Sequence, residues 1–143
     1  MKEGSVGKID AKPGVEQLVN WLNSKNIKIT IVTSNLIDRA KEYLEKVHID
    51  QFFDTIISTE FVEKGKPFPD VYTYAVREIG IATQQCLAIE DSPNGLKSAH
   101  DAGCKTVMIP DLSPLTEDLK QYVNWCVSSL QDIINNEEIP FEC

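Results

Sequence analysis

Apolar residues follow two alternating patterns along this chain. In the first, they are spaced three or four apart, as from Val15 to Leu22, and this spacing predicts amphipathic helices. In the second, several apolar residues, many of them β-branched, follow one another, and these runs predict buried strands. The predicted strands are residues 27–32, 55–57, 86–89, 105–109 and 125–127. The predicted helices are residues 13–25, a segment including 40–47, residues 69–79, 93–102, 115–122 and 130–135.

Strands that are separated by helices pair in parallel, because a parallel connection needs a crossover segment. The pattern therefore predicts an α/β protein, a Rossmann-like three-layer sandwich with a mostly parallel sheet. In such sheets, ligands bind beyond the C-terminal ends of the strands. The residues that directly follow each strand are therefore the first candidates for a functional site.

Composition narrows the class of protein. The 143 residues suggest one domain, and 42% hydrophobic residues are enough for a packed core. A net charge of -8 argues against a nucleic-acid or anionic-membrane partner. No apolar run approaches the roughly 18 residues of a membrane span, and the N-terminus lacks the apolar core of a signal peptide. The four cysteines show no zinc or redox spacing, so we expect a cytoplasmic protein.

Two adjacent carboxylates, Glu90 and Asp91, stand where the strand of residues 86–89 ends. Like charges this close repel each other, so one carboxylate takes up a proton unless a cation is near. Mg²⁺ removes the conflict, since it prefers carboxylate and water ligands. The alternative is that Asp91 helps to cap the helix that begins near Pro93, while Glu90 is solvated. Ser92 is predicted to cap that helix.

Thr33, Ser34 and Asn35 follow the strand of residues 27–32. A hydroxyl and exposed backbone N–H groups at the start of the next helix can hold an anion. Read alone, these residues are better explained by ordinary helix capping.

A lysine lies in the stretch Gly-Lys-Pro-Phe-Pro-Asp, residues 65–70. Its two prolines stiffen the loop, and Lys66 can then neutralise a phosphate or a carboxylate. A loop lysine is more often solvated, and Lys64 is an alternative. Together, a hydroxyl, a lysine and an acidic pair predict a phosphoryl-transfer site that lacks its nucleophile.

Three segments resemble the haloacid dehalogenase (HAD) superfamily, in the branch of phosphoglycolate phosphatase-like and β-phosphoglucomutase-like proteins. They are KPGVEQLVNWLNSKNIKITIVTSN, GKPFPDVY and AIEDSPNGLKSAHDAG, which look like the family's second, third and fourth motifs. The resemblance covers roughly residues 11–110. It implies that the hydroxyl of Thr33 binds the transferred phosphoryl group, and that Lys66 pairs with the phosphate and the nucleophile.

The same resemblance assigns roles to the remaining candidates. Glu90 and Asp91 match the acidic Mg²⁺ site. Ser34 and Asn35 follow the matched Thr33 and can lend N–H or side-chain contacts to the substrate, and the hydroxyl of Ser92 can steady the acidic loop while it caps the helix. The implied substrate is a small phosphorylated metabolite, such as a sugar phosphate or phosphoglycolate.

The chain departs from the family in its N-terminal part. Family members begin with a strand that ends in Asp-x-Asp-Gly-Thr, whose first Asp is the nucleophile and whose second is the acid/base. No such motif is present here, and Asp10, the one aspartate near the N-terminus, follows no apolar strand. The cap domain is also missing. We therefore interpret residues 1–143 as the C-terminal portion of a HAD-like core, truncated, with residues 1–12 as a linker from the cap.

The missing strand would lie at the centre of the family sheet, between the strands of residues 27–32 and 86–89. Three outcomes are open: direct pairing of those two strands, a vacant slot, or a strand supplied by another chain, with self-association as a related possibility. We expect direct pairing or a marginally stable fold.

Two functions of different classes follow. The first is a Mg²⁺-dependent phosphatase or phosphomutase scaffold with little or no turnover, because the nucleophile motif is absent. The second is a non-catalytic α/β binding or interaction module derived from a HAD hydrolase. A response-regulator receiver fits less well, because receivers carry the acidic pair after the first strand.

Overall fold

A computed structural model describes residues 3–6, 15–110, 115–136 and 139. The strands are β1 Glu3–Val6, β2 Lys28–Thr33, β3 Thr55–Ser58, β4 Cys86–Glu90, β5 Lys105–Met108 and β6 Trp125–Cys126. The helices are α1 Val15–Ser24, α2 Ile37–Lys46, α3 Asp70–Ile79, α4 Pro93–Asp101 and α5 Leu130–Asn135.

The six strands form one sheet in the order β3-β2-β1-β4-β5-β6. Every neighbouring pair is parallel. The predicted Rossmann-like α/β fold with a parallel sheet is therefore confirmed. On one side of β1 lie β2 and then β3, and on the other side lie β4, β5 and β6. Where the order of strands reverses in this way, a parallel sheet forms a crevice beyond the C-terminal ends of its strands.

The centre of the sheet differs from the sequence-based expectation. We expected β2 and β4 to pair directly, but Glu3–Val6 lies between them and pairs with both. From the sequence, we placed Glu3–Val6 in a linker of residues 1–12, and for these four residues that prediction is wrong. The rest of the predicted linker, with Asp10, lies outside the described residues. The reason lies in the backbone of the two flanking strands. Without β1, the N–H and C=O groups along the facing edges of β2 and β4 would be buried without hydrogen-bond partners. The sequence of β1, Glu-Gly-Ser-Val, contains no Asp-x-Asp-Gly-Thr motif.

The sheet is covered on both faces. On one face, apolar residues of α1 and α5, such as Leu18, Leu22 and Ile133, pack against Ile29 and Ile89. On the other face, α3 and α4 pack through residues that include Val71, Tyr72, Ala75 and Ala99, against strand residues such as Val32 and Ala88. Burying both faces explains why the strands read as continuous apolar runs.

The other elements agree with the pattern, with one exception. The predicted helix of residues 115–122 is wrong, because only residues 120–122 form a short 3₁₀ turn. Most side chains of residues 116–121 are exposed, so they provide no apolar face that could stabilise a helix by packing. The predicted ends of the first and fourth helices are confirmed by left-handed backbone at Asn26 (φ 58°) and Gly103 (φ 97°).

Within the described ranges, no helix has both the length and the apolar character needed to cross a membrane.

Candidate active site

The loop after β2 is held by residues at the end of β3 and just after it. The Oγ1 atom of Thr33 accepts a hydrogen bond of 3.0 Å from the backbone N–H of Asn35. The hydroxyl of Ser58 donates to the backbone oxygen of Asn35 at 2.7 Å. Glu60 accepts from the N–H of Ile37, the first residue of α2, at 2.7 Å. These contacts fix the turn in which Thr33, Ser34 and Asn35 face the C-terminal edge of the sheet.

The loop that carries Lys66 is anchored to α4. The hydroxyl of Ser98, a fully buried residue, donates to the backbone oxygen of Phe68 at 2.6 Å. Lys66 then reaches inward, where its Nζ atom donates to the backbone oxygen of Val32 at 3.3 Å. Lys64 is exposed, with its Nζ atom 5.0 Å from the ring centre of Phe68. Lys66 is therefore the lysine of this loop that the fold brings to the sheet edge.

Glu90 is buried in a three-residue network. Its Oε1 atom lies 2.7 Å from Nζ of Lys66, and the two side chains are 0% and 8% exposed. The hydroxyl of Tyr72 donates to the same oxygen at 2.5 Å. Burial and the charge of Glu90 raise the pKa of Tyr72 well above its ordinary value, so the phenol stays protonated and remains a donor.

Sequence reasoning missed Tyr72. It lies within the segment GKPFPDVY that resembles the third motif, so its position was available. Helical spacing placed Tyr72 on α3 but could not show that its hydroxyl reaches a carboxylate on β4.

The second oxygen of Glu90 lies against the start of α4. A Cβ atom added to Gly95 would sit 2.1 Å from Oε2 of Glu90, so only glycine leaves room for this carboxylate. Oε2 is buried and has no hydrogen-bond partner among the described residues. The predicted cap of α4 is confirmed, since Oγ of Ser92 accepts from the N–H of Gly95 at 3.1 Å. Gly95 was the second residue that the sequence did not single out.

These elements surround one cavity of about 380 Å³. It is lined by Thr33, Ser34, Asn35, Lys66, Glu90, Ser92, Pro93 and Asn94. Six of the seven predicted site residues are thus brought together, while Asp91, 7% exposed, follows Glu90 but is not among the lining residues. Helices α2 and α4 both begin at this wall, and their N-termini favour an anion.

The sequence matches a known protein family. The family model for haloacid dehalogenase-like hydrolases matches residues 1–109. The chain belongs to this family. HAD-like relatives include hexitol phosphatase A of Escherichia coli, 34% identical over 71% of this chain and 46% of that protein. Phosphorylated carbohydrates phosphatase of Thermotoga maritima is 28% identical over 66% of this chain and 44% of its own length.

A solved structure of a HAD-like relative shares the fold. CbbY from Rhodobacter sphaeroides, in complex with phosphate, superposes with a TM-score of 0.77 at 25% identity, over 85% of this chain and 55% of that one. The chain spans about half the length of the relatives that it matches.

The acidic pair fits Mg²⁺ only in part. Oε2 of Glu90 is a buried anionic oxygen without a hydrogen-bond partner in the described part of the chain, and such an atom suits a cation. Oε1 is already engaged by Lys66 and Tyr72. No group of three ligating side chains occurs within the described residues. Mg²⁺ often uses one or two carboxylates and completes its shell with waters and phosphate oxygens, so a cation beside this pair would need further ligands of those kinds.

Proposed function

We propose that this HAD-like chain binds Mg²⁺ and the phosphate group of a small phosphorylated metabolite, as part of a phosphatase or phosphomutase site. The observation that supports this most directly is the shared cavity, where the hydroxyl of Thr33 and the ammonium of Lys66 meet the start of two helices. The names of two relatives, a hexitol phosphatase and a phosphatase of phosphorylated carbohydrates, favour a phosphorylated carbohydrate as the substrate class. Free thiols at Cys104 and Cys126 are consistent with a cytoplasmic setting.

Each residue contributes a distinct interaction to this proposal. Lys66 supplies a positive charge, and Thr33 supplies a hydroxyl that can donate to a phosphate oxygen. Ser34 and Asn35 offer polar groups at the start of α2, where the helix favours an anion. Glu90 and Asp91 would hold Mg²⁺, which when bound offsets negative charge on the phosphate. Ser92 keeps the acidic loop in place through its cap on α4.

Turnover is expected to be low, because covalent phosphoryl transfer needs a carboxylate nucleophile in the cavity. Among the described residues that line the cavity, Glu90 is the one acidic residue, and Lys66 and Tyr72 already engage Oε1 of that side chain. A non-catalytic binding module is the second candidate. The burial of Glu90 favours it, since a fully buried, doubly hydrogen-bonded carboxylate also has a plain structural role.

Isothermal titration calorimetry with orthovanadate, in the presence and absence of Mg²⁺, tests the proposal. We expect saturable vanadate binding that Mg²⁺ strengthens, and Asp91→Asn should abolish Mg²⁺ binding. Asp118→Asn, in the exposed stretch of residues 116–118, is the matched control and should bind Mg²⁺ like the wild type. If Asp91→Asn binds Mg²⁺ unchanged, the acidic pair is a helix cap and not a metal site.

Adding a peptide that carries Asp-x-Asp-Gly-Thr separates the two candidates. Restored hydrolysis of an aryl phosphate would identify a split enzyme. Absence of rescue, together with intact vanadate binding, would favour the binding module.

A further inference from the structure

Tyr72 contacts both members of the buried ion pair at the cavity wall. Its hydroxyl donates to Oε1 of Glu90 at 2.5 Å, and the Nζ atom of Lys66 lies over its ring, 5.5 Å from the ring centre. An ammonium this close to the face of an aromatic ring is attracted by the negative potential of that face. Tyr72 is 1% exposed and is not among the described residues that line the cavity. Its effect on a ligand in the cavity is therefore indirect, through the residues that it contacts.

The ammonium of Lys66 has one donor to spare. It carries three N–H groups, and two of them have partners in the described part of the chain. One donates to Oε1 of Glu90 at 2.7 Å, and another to the backbone oxygen of Val32 at 3.3 Å. Because Lys66 lines the cavity, the third donor is available to an anion there while the first two bonds persist. The contacts that hold Lys66 thus determine where it meets the anion.

Tyr72 and Lys66 share the neutralisation of Glu90. The side chain of Glu90 is 0% exposed, and the phenol and the ammonium are the two donors to its Oε1 atom among the described residues. A buried carboxylate that loses one donor draws more strongly on the other, because solvent cannot reach it to replace the lost bond. The phenol therefore takes up part of the demand of Glu90 and leaves more of the positive charge of Lys66 to the cavity.

We propose that Tyr72 is a positioning residue of the anion site, which holds Lys66 at the cavity wall and shares with it the neutralisation of Glu90. This inference rests on the proposed function, since the anion is the phosphate group of the substrate. Two substitutions separate the contributions of Tyr72. Tyr72→Phe keeps the ring beside Lys66 and removes the hydroxyl, whereas Tyr72→Leu removes both.

Isothermal titration calorimetry with orthovanadate in the presence of Mg²⁺ tests the inference. Tyr72→Phe should bind vanadate roughly tenfold more weakly than the wild type, because Lys66 alone then neutralises Oε1 of Glu90. Tyr72→Leu should bind more weakly still, since the ammonium also loses the ring. Tyr74→Phe, on the same helix with its ring against Phe61, is the matched control and should bind like the wild type. Wild-type affinity in Tyr72→Phe would overturn the inference.

A second background separates positioning from folding. In Lys66→Met, the further substitution Tyr72→Phe should leave the vanadate affinity nearly unchanged, because the residue through which Tyr72 acts is already gone. An equal loss of affinity in both backgrounds would show that Tyr72 only stabilises the fold. Failure of the wild type to bind vanadate would overturn the proposed function as well, whereas wild-type binding that is insensitive to Tyr72 overturns this inference alone.

Nuclear magnetic resonance of the wild type gives a measurement that does not depend on the folding or the affinity of any variant of Tyr72 or Lys66. With ¹³C-labelled tyrosine rings and Mg²⁺ present throughout, vanadate should shift the ring signal of Tyr72, because Lys66 forms a new bond beside that ring. The chain has four tyrosines, and Phe variants of Tyr43, Tyr74 and Tyr122 identify the Tyr72 signal by elimination. A Tyr72 signal that stays in place at saturating vanadate would overturn the inference.

Discussion

The hydroxyl of Tyr72 donates a hydrogen bond of 2.5 Å to Oε1 of Glu90, and both side chains are buried. This bond joins α3 to the end of β4, directly beside Lys66. It holds the carboxylate in one orientation, with Oε1 toward its donors and Oε2 toward Gly95. The acidic end of β4 is therefore positioned by residues from three separate segments of the chain.

Tyr72→Phe should destabilise the protein by about 1.5–3 kcal/mol, because it removes a hydrogen bond to a charged, buried acceptor. Urea denaturation followed by circular dichroism measures the free energy of unfolding. Tyr74→Phe is the matched control, since Tyr74 is on the same helix and is only partly buried. Equal stability of Tyr72→Phe and the wild type would show that the hydroxyl contributes nothing.

Alkaline pH should destabilise the wild type more than Tyr72→Phe. The pKa of Tyr72 is raised in the folded protein by burial and by the charge of Glu90. Above about pH 10 the unfolded chain therefore releases this proton while the folded protein keeps it, and the free energy of unfolding falls as the pH rises. Burial also raises the pKa of Cys104, to about 12, and this adds a loss of the same sign to both proteins.

Thermal denaturation from pH 8 to pH 11 measures this difference. The two proteins should lose stability in parallel below about pH 10, and the wild type should lose more above it. Parallel curves over the whole range would mean that the Tyr72 proton is held no more tightly after folding.

Gly95→Ala should destabilise the protein by about 1–3 kcal/mol, as overpacking of a core does. The new Cβ atom would lie 2.1 Å from Oε2 of Glu90, and this side chain cannot move away without losing Lys66 or Tyr72. Vanadate binding should weaken as well, because Glu90 lines the cavity. Thermal denaturation and calorimetry measure the two effects.

Gly65→Ala is the control for this substitution. Its new Cβ atom would be 3.5 Å from Cγ2 of Thr59, which is an ordinary van der Waals contact. We expect Gly65→Ala to unfold at the wild-type temperature. A Gly95→Ala variant as stable as Gly65→Ala would show that Glu90 has another position available.

Lys66→Ala should weaken vanadate binding and should also destabilise the protein by about 3–5 kcal/mol, because it leaves Glu90 as a buried charge without its counter-ion. Lys64→Ala, at an exposed lysine of the same loop, should change neither property. The double variant Lys66→Met with Glu90→Gln removes both charges and should regain part of the stability. If Lys64→Ala weakens vanadate binding more than Lys66→Ala does, the assignment of the phosphate-binding lysine is wrong.

The convergence of Thr33, Lys66 and Glu90 could be predicted because it depends on rules that act along the chain. Apolar runs and helical spacing identified the five strands other than β1 and the five helices, and Thr33 and Glu90 lie at the C-terminal ends of their parallel strands. Parallel strands end at one edge of a sheet, so these two residues had to be near each other. The loop of Lys66 was recognisable from its prolines and its resemblance to a motif.

Tyr72 and Gly95 could not be identified in the same way. Their importance lies in a contact with Glu90, and the spacing of apolar residues says which side chains are buried, not which polar atoms meet. Similarly, Leu115, Leu119 and Tyr122 stand at helical spacing, yet only residues 120–122 form a short 3₁₀ turn and most side chains of residues 116–121 are exposed.

The sequence by itself determined the parallel α/β fold and the edge of the sheet where the polar residues gather, because both follow from local periodicity and the order of elements. The tertiary structure alone decided that Glu3–Val6 is the central strand, since nothing in Glu-Gly-Ser-Val favours a strand until two neighbouring strands present unpaired backbone groups on either side. It also decided how Glu90 is oriented, because that depends on distances between atoms from α3, α4 and the loop of Lys66.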